Sequence, residues 1–551
     1  MVRCLEAHGV NQVFGLPGEE NLDLVEALRT SSIELIVTRN EQSAVFMAAT
    51  YGRLTGIPGV ALATLGPGAT NMMTGVAYAQ LGAMPLIVIT GQKPIRFSKQ
   101  AKFQIIDVCA MMKPITKMTR TLTEGAQIPS ILAHAFALAQ EERPGAVHIE
   151  LPEDIAALPV QAAYAHPIVY DKIRRPIPDE KAIQGLIAML SKAQRPLVLI
   201  GAGANRKRIS KYLTQFIQTN NIPFFTSQMG KGVVDERIPQ YIGTAALTDH
   251  DTLHDAIRGA DLIIAVGHDT VEKPTHNLFS AKTPLIHINF FPAEFDTLYA
   301  PTMQVIGDIG NTMRQLAQTD FSHVQWDHTG IYQAARQHLE EIDKPAHQQM
   351  HTGPIGPRWL IQTLRRLMDE DAILALDNGL YKVRCARNYR CSMPNTLLLD
   401  NALATMGAGY SSAFVAKSLY PQRSVVAMVG DGGLLINLGD IQTLVSSGLS
   451  LTILVLDDNA YGMIQWKQLE FGHQDFGMTL QNPDFVVLAQ AFGALGYRVD
   501  TADQFERVFL EAESQPGIKI IALRFAYPRT FTDATTDTTP HTTPDATTDA
   551  S

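Results

Sequence analysis

The chain has 551 residues, 46% hydrophobic and 18% charged, with a formal net charge of -9. That length calls for three or four domains of ordinary size, the acidic balance argues against nucleic acid as the main partner, and no apolar run approaches the ~18 residues of a membrane span. The start, MVRCLEAHGV, lacks the apolar core of a signal peptide, and Cys4, Cys109, Cys385 and Cys391 have no metal-ligand spacing, so a cytoplasmic enzyme with reduced thiols is expected.

In chain order, runs at 13–15, 34–38, 59–64, 85–90 and 146–151 read as strands with helical spacing between them. Such alternation predicts a parallel sheet covered by helices, an α/β fold. A Pro-rich stretch, 164–178, reads as a linker. The middle region opens on PLVLIGAGA (196–204) and continues with short strands at 223–226, 261–267 and 285–290. Its GAG lacks the full dinucleotide spacing, because position 206 is Arg, and reads as a tight strand-to-helix turn. A second linker, 343–357, leads to strands at 372–376, 397–399, 425–429, 451–456 and 518–525. The expected division is therefore 1–163, 179–342 and 358–529. The Thr- and Asp-rich tail 530–551 buries too little apolar surface to offset its ordering entropy and is expected to be disordered.

The chemistry concentrates in the third region. The run 425–429 ends in GDGG (430–433), residues 434–445 have helical spacing, and the run 451–456 ends in LDDNAYGM (456–463). In a strand, helix, strand unit both acidic groups fall on the carboxyl edge of the sheet, where ligands bind. If the strands are neighbours, Asp431 and Asp458 end about 5 Å apart and can meet one small cation through oxygen bonds of about 2.0 to 2.1 Å. Gly430, Gly432 and Gly433 let backbone N–H groups approach an anion. Metal plus phosphate is the reading. A second carboxylate, Glu41 in TRNEQSAVFMAATYGRLTG (38–56), also follows a strand directly and begins a helix.

GDGG with the later Asp resembles the thiamine diphosphate motif. In that pattern Asp431, Asp458 and the backbone carbonyl of Ala460 hold the magnesium of the cofactor. With TLGPGATN (64–71), AQLGAMPLIVITGQKP (79–94) and ERPGAVHIELPEDI (142–155), the Glu41 segment resembles the pyrimidine-binding domain of thiamine diphosphate enzymes. The chain up to the tail is most similar to acetolactate synthases. That resemblance implies three doubly wound parallel-sheet domains, for pyrimidine, centre and diphosphate. It also implies a homodimer or homotetramer, with Glu41 and Asp431 of one site drawn from different subunits. Glu41 would share a proton with ring nitrogen N1′ of the cofactor. Met406 in NALATMGAGY would bend the cofactor, and the carbonyl of Ala404 would accept from its 4′-amino group. Gly379, Leu380 and Tyr381 in ALDNGLYK stand where the family's diphosphate contacts come from and would meet the diphosphate. Gln104 in KQAKFQIID would orient substrate, and Met463, Ile464 and Trp466 in YGMIQWKQ would line the pocket.

The implied reaction joins pyruvate to a second 2-keto acid with loss of CO₂. The alternative is a 2-keto acid decarboxylase, or a carboligase with aldehyde acceptors. Asn40 stands where close relatives carry His, which favours the alternative, whereas the chain has no His-His pair of the pyruvate decarboxylase kind. After DLIIAVG the chain reads HDTVEKP where flavin-binding relatives carry an RFDDR-like stretch, which argues against FAD and removes an acceptor-gripping Arg. Lys273 is a substitute cation that the sequence does not position. Nor does the sequence speak to a regulatory subunit.

Overall fold

The computed structural model describes residues 1–97, 101–161, 165–169, 175–245, 253–272, 283–295, 299–346 and 353–527. Lys273 and the tail 530–551 lie outside them.

Three six-stranded parallel sheets follow one another along the chain. The first contains β1 (Gln12–Gly15), β2 (Glu34–Val37), β3 (Gly59–Ala63), β4 (Leu86–Gln92), β5 (Met118–Thr121) and β6 (Ala146–Pro152), in the order β2-β1-β3-β4-β6-β5. The second contains β7 (Pro196–Ile200), β8 (Phe224–Thr226), β9 (Tyr241–Thr244), β10 (Leu262–Val266), β11 (Leu285–Asn289) and β12 (Met303–Ile306), in the order β12-β11-β10-β7-β8-β9. The third contains β13 (Ile373–Leu376), β14 (Leu397–Leu398), β15 (Val425–Gly430), β16 (Leu451–Asp457), β17 (Leu495–Val499) and β18 (Ile518–Arg524), in the order β14-β13-β15-β16-β18-β17. Interior strands such as β4 and β7 are buried along their whole length, because helices cover both faces of a parallel sheet.

Two features depart from the sequence reading. Strands β5, β9, β12 and β17 were not expected, and all four lie at sheet edges, where a strand has one neighbour and tolerates polar residues such as those of MTRT in β5. The helical spacing of 434–445 is two helices, Asp431–Ile436 and Ile441–Ser446, parted at Leu438–Asp440. The break turns Asp440 toward the first sheet, where its Oδ1 accepts the Arg39 N–H at 2.7 Å.

That bond belongs to a larger junction. Helix Glu41–Thr55 packs against helix Gly409–Leu419, and one apolar core takes Val45 and Met47 from the former and Tyr410 and Phe414 from the latter. Thr50 and Ser412 share a buried hydroxyl hydrogen bond of 2.9 Å, and Arg53 donates to the Leu399 carbonyl at 2.9 Å. The first and third sheets thus share a core, while the second sheet is sandwiched between two cores of its own.

Candidate active site

Strands β15 and β16 are neighbours, with Gly430 opposite Leu456, so Asp431 and Asp458 leave the same edge of the third sheet side by side. Asp431 is 2% exposed. Its Oδ1 accepts the Gly432 N–H at 2.7 Å and its Oδ2 accepts from the Asn482 amide at 2.7 Å. The same amide nitrogen donates to Asp457 at 2.8 Å, while the amide oxygen of Asn482 is buried without a hydrogen-bond partner. Burial raises the Asp431 carboxyl above its ordinary range, and burial together with the Asp431 charge pushes Asp458 up to about 7. Crowded carboxylates, one buried and two half-buried, beside an orphaned amide oxygen fit a divalent cation, which would relieve the repulsion and take oxygen ligands. Among the described residues no group of three or more His, Cys, Asp and Glu stands in metal-holding geometry. The expected set needs only Asp431, Asp458 and the Ala460 carbonyl.

Glycine is required in the turn. A Cβ on Gly433 would stand 2.2 Å from Oδ2 of Asp377, and one on Gly432 would stand 2.8 Å from the Tyr461 ring. Gly430 donates its N–H to the Tyr381 hydroxyl at 3.1 Å, and the Tyr381 N–H in turn goes to the Tyr527 hydroxyl at 3.2 Å. Tyr381 therefore props the turn from within the core. Leu380 is buried too, and Gly379 precedes the helix Leu380–Asn388 as its cap.

The Met406 loop hangs between two carboxylates that sequence reasoning missed. Asp400 accepts the N–H groups of Ala402 and Ala404 at 3.0 and 2.7 Å. Asp377 accepts the Gly407 N–H at 2.9 Å on both oxygens and the Ala408 N–H at 3.2 Å. Between them Ala404 takes φ +56°, a left-handed conformation that costs an alanine energy and has to be held by its surroundings. Burial pushes Asp377 up to about 6, although these N–H groups pull it down. Met463, Ile464 and Trp466 ride on helix Gly462–Glu470. Ile464 is 52% exposed, and Trp466 carries the Lys467 ammonium 4.3 Å from its ring centre.

At the first sheet, Glu41 begins its helix right after β2 and is 8% exposed. Asn40 caps that helix, its side chain accepting the Gln42 N–H at 2.8 Å. Asn71 donates to Glu41 Oε2 at 3.0 Å, and Glu41 Oε1 lies 3.5 Å from where a Cβ on Gly68 would be. Gln104 is exposed, with φ +58°, and its carbonyl oxygen stands 3.1 Å from the Cβ position of Gly66. Glu41 and Gln104 thus gather around the 64–71 turn, and the remaining candidates gather at the third sheet.

Models of the thiamine pyrophosphate enzyme N-terminal, central and C-terminal domains match residues 1–111, 183–316 and 377–523. The chain is 30% identical over 534 residues to the probable acetolactate synthase large subunit of Methanocaldococcus jannaschii, covering 93% of this chain and 89% of that one. It is 31% identical over 514 residues to the acetolactate synthase isozyme 2 large subunit of Escherichia coli, covering 92% and 91%. It is 29% identical over 539 residues to the acetolactate synthase of Bacillus subtilis, covering 96% and 92%.

Proposed function

The chain belongs to the thiamine pyrophosphate enzymes, in the acetolactate synthase family, and from that premise we propose that it decarboxylates pyruvate and passes the two-carbon unit to a second 2-keto acid, giving 2-acetolactate and CO₂. The observation that carries this reading is the pair of half-sites: the Asp431 and Asp458 strand ends around a turn that has no room for side chains at 432 and 433, and the buried Glu41 over the 64–71 turn. Thiamine diphosphate, when bound, supplies the electron sink for carbon–carbon cleavage and ligation. Asp431, Asp458 and the Ala460 carbonyl would hold Mg²⁺, and the 430–433 turn would admit the diphosphate. Glu41 would hold a proton at N1′, oriented by Asn71. Met406 and the Ala404 carbonyl would seat the pyrimidine in the bent form, Gln104 and Trp466 would face the substrate, and Met463 and Ile464 would help to exclude water.

Flavin is left out of the reaction. Joining two pyruvates with loss of CO₂ involves no net oxidation. The cavity of about 1010 Å³ beside the second sheet is lined by Arg143 and Arg206, but Asp269 and Glu142 already engage these cations. Glu272 also lines it, accepting from the Ser227 hydroxyl and the Met229 N–H. The acidic groups Glu142, Asp269 and Glu272 in that lining weigh against a flavin diphosphate, although Arg53, Arg175 and Arg423 line it too.

The domain division proposed is 1–163, 179–342 and 358–529, each range containing one sheet. A homodimer or homotetramer would complete each site with Glu41 from one subunit and Asp431 from another. The exposed aromatic side chains Phe97, Phe103, Phe471 and Phe476, at 60 to 84% exposure near the two half-sites, support such an assembly. Two of the relatives named above are large subunits, so a smaller companion subunit is a partner to test. Among the described residues no helix is long and apolar enough to cross a membrane. Incubation with pyruvate, Mg²⁺ and thiamine diphosphate should yield acetolactate. Acetaldehyde alone would replace the carboligase with the decarboxylase.

A further inference from the structure

At the carboxyl edge of the first sheet a buried ion pair stands outside every role assigned above. Lys93 follows β4 and is 3% exposed, with its ammonium 2.5 Å from Oε1 of Glu20, itself 4% exposed. The other oxygen of Glu20 accepts the Thr64 hydroxyl at 2.5 Å. Thr64 opens the 64–71 turn, and its methyl group lies 3.0 Å from the Cβ position of Gly68, which Glu41 Oε1 approaches at 3.5 Å. On its other side Lys93 Nζ lies 5.9 Å from the ring centre of Phe103, the neighbour of Gln104. The pair therefore sits amid the residues that gather around that turn.

A buried ion pair is often no more stabilising than well-packed apolar residues of the same volume, so stability gives little reason for one here. An ammonium has three donors, and among the described residues Glu20 takes one. The proposed reaction also needs a cation, because both substrates are 2-keto acids. Their carboxylates differ in fate. The donor's departs as CO₂, and gripping it as an anion would stabilise the ground state against that loss. The acceptor's survives into the product and can be held throughout.

We propose that Lys93, whose ammonium Glu20 partly neutralises, receives the carboxylate of the acceptor and selects 2-keto acids over aldehydes. The assignment rests on the carboligase reading. Its test uses the protein loaded with thiamine diphosphate and Mg²⁺, titrated calorimetrically with oxamate, an unreactive isostere of pyruvate, beside product analysis. Lys93→Met weakens oxamate about 10- to 100-fold, the size of a hydrogen bond to a charged group, and leaves thiamine diphosphate affinity unchanged. The same variant lowers kcat/KM for 2-ketobutyrate as acceptor relative to acetaldehyde by a similar factor. Glu20→Gln frees the ammonium and tightens oxamate several-fold, a direction that loss of a purely structural pair does not produce. The double variant Lys93→Met/Glu20→Gln leaves no lone buried charge to hinder folding and weakens oxamate as the single one does. Unchanged oxamate affinity in the double variant, or weakening by Glu20→Gln, overturns the proposal. Acetaldehyde without acetolactate from the unaltered protein overturns the carboligase reading and the acceptor role with it, while the oxamate series still decides whether Lys93 holds a carboxylate.

Discussion

Asp377→Asn separates what the Met406 loop needs from what the fold needs. The Asp377 carboxylate is 2% exposed and anchors the Gly407 and Ala408 N–H groups. An amide with its oxygen at the Oδ1 position still accepts both N–H groups, but it loses the second contact of the Gly407 N–H on Oδ2 and turns charge-assisted bonds into neutral ones, a loss of about 1–3 kcal/mol. Against that loss stands the relief of a buried charge. With its carboxyl pushed up to about 6 from 3.8, the ionised form is disfavoured by about 3 kcal/mol at neutral pH. The two terms nearly cancel, so stability at pH 8 should change by no more than ~2 kcal/mol. The loop, however, loses the anchor that sets Met406, and a misplacement of that kind can cost up to about 100-fold in rate. The sign of the pH dependence follows from the raised pKa: the contribution of Asp377 to stability is fully present below pH 3.8 and is lost as pH rises through about 6, a slope the variant lacks. Denaturation midpoints between pH 4 and 8, with kcat and thiamine diphosphate affinity, measure both parts. A variant with unaltered kcat and cofactor affinity would refute the anchoring role, and one destabilised by far more than ~3 kcal/mol at pH 8 would refute the charge argument.

Glu41→Gln should bind thiamine diphosphate normally but lose about 10² to 10⁴ in kcat, the usual contribution of a positioned acid–base group, whereas Asp431→Ala should lose cofactor affinity itself, by at least roughly tenfold; normal turnover in the first variant sinks the proton role. His148 is buried between the hydroxyls of Thr90 and Thr119, and burial holds it down to about 3. Keeping it neutral contributes stability that is present above pH 6.5 and lost as pH falls toward 3, about 2 kcal/mol between pH 6.5 and 5. His148→Gln should flatten that part of the acid denaturation profile, and an identical slope would count against it.

The interior strands were legible because burial on both faces forces unbroken apolar runs, and β15 and β16 fall within a residue of their expected bounds. The edge strands β5, β9, β12 and β17 were not, since one-sided burial leaves only weak patterns such as LGYRV in β17, whereas β2 and β14, also at edges, fall in the expected runs 34–38 and 397–399. At the site, GDGG and Asp458 were readable because each works within a few residues of a strand end. Asp377 and Asn482 were not, because their meaning lies in partners distant along the chain, and Asp400 was not, because accepting the Ala402 and Ala404 N–H groups two and four residues on leaves no sequence pattern. Asn482 meets Asp431 from 51 residues away, and Tyr527 reaches Tyr381 across 146. Lys93 and Glu20 are 73 residues apart, and alone each reads as an ordinary surface charge.

The core shared by helices Glu41–Thr55 and Gly409–Leu419 bears on synthesis as well as on catalysis. At ~5–20 residues per second, roughly half a minute separates the emergence of the first helix from that of its partner. During that interval the helix face that carries Met47 and Thr50 has nothing from the third sheet to cover it, and the second sheet must fold in between without capturing it. Nascent chains halted after the second sheet should therefore bind chaperones through the 41–55 face and release them once residues beyond 419 have emerged.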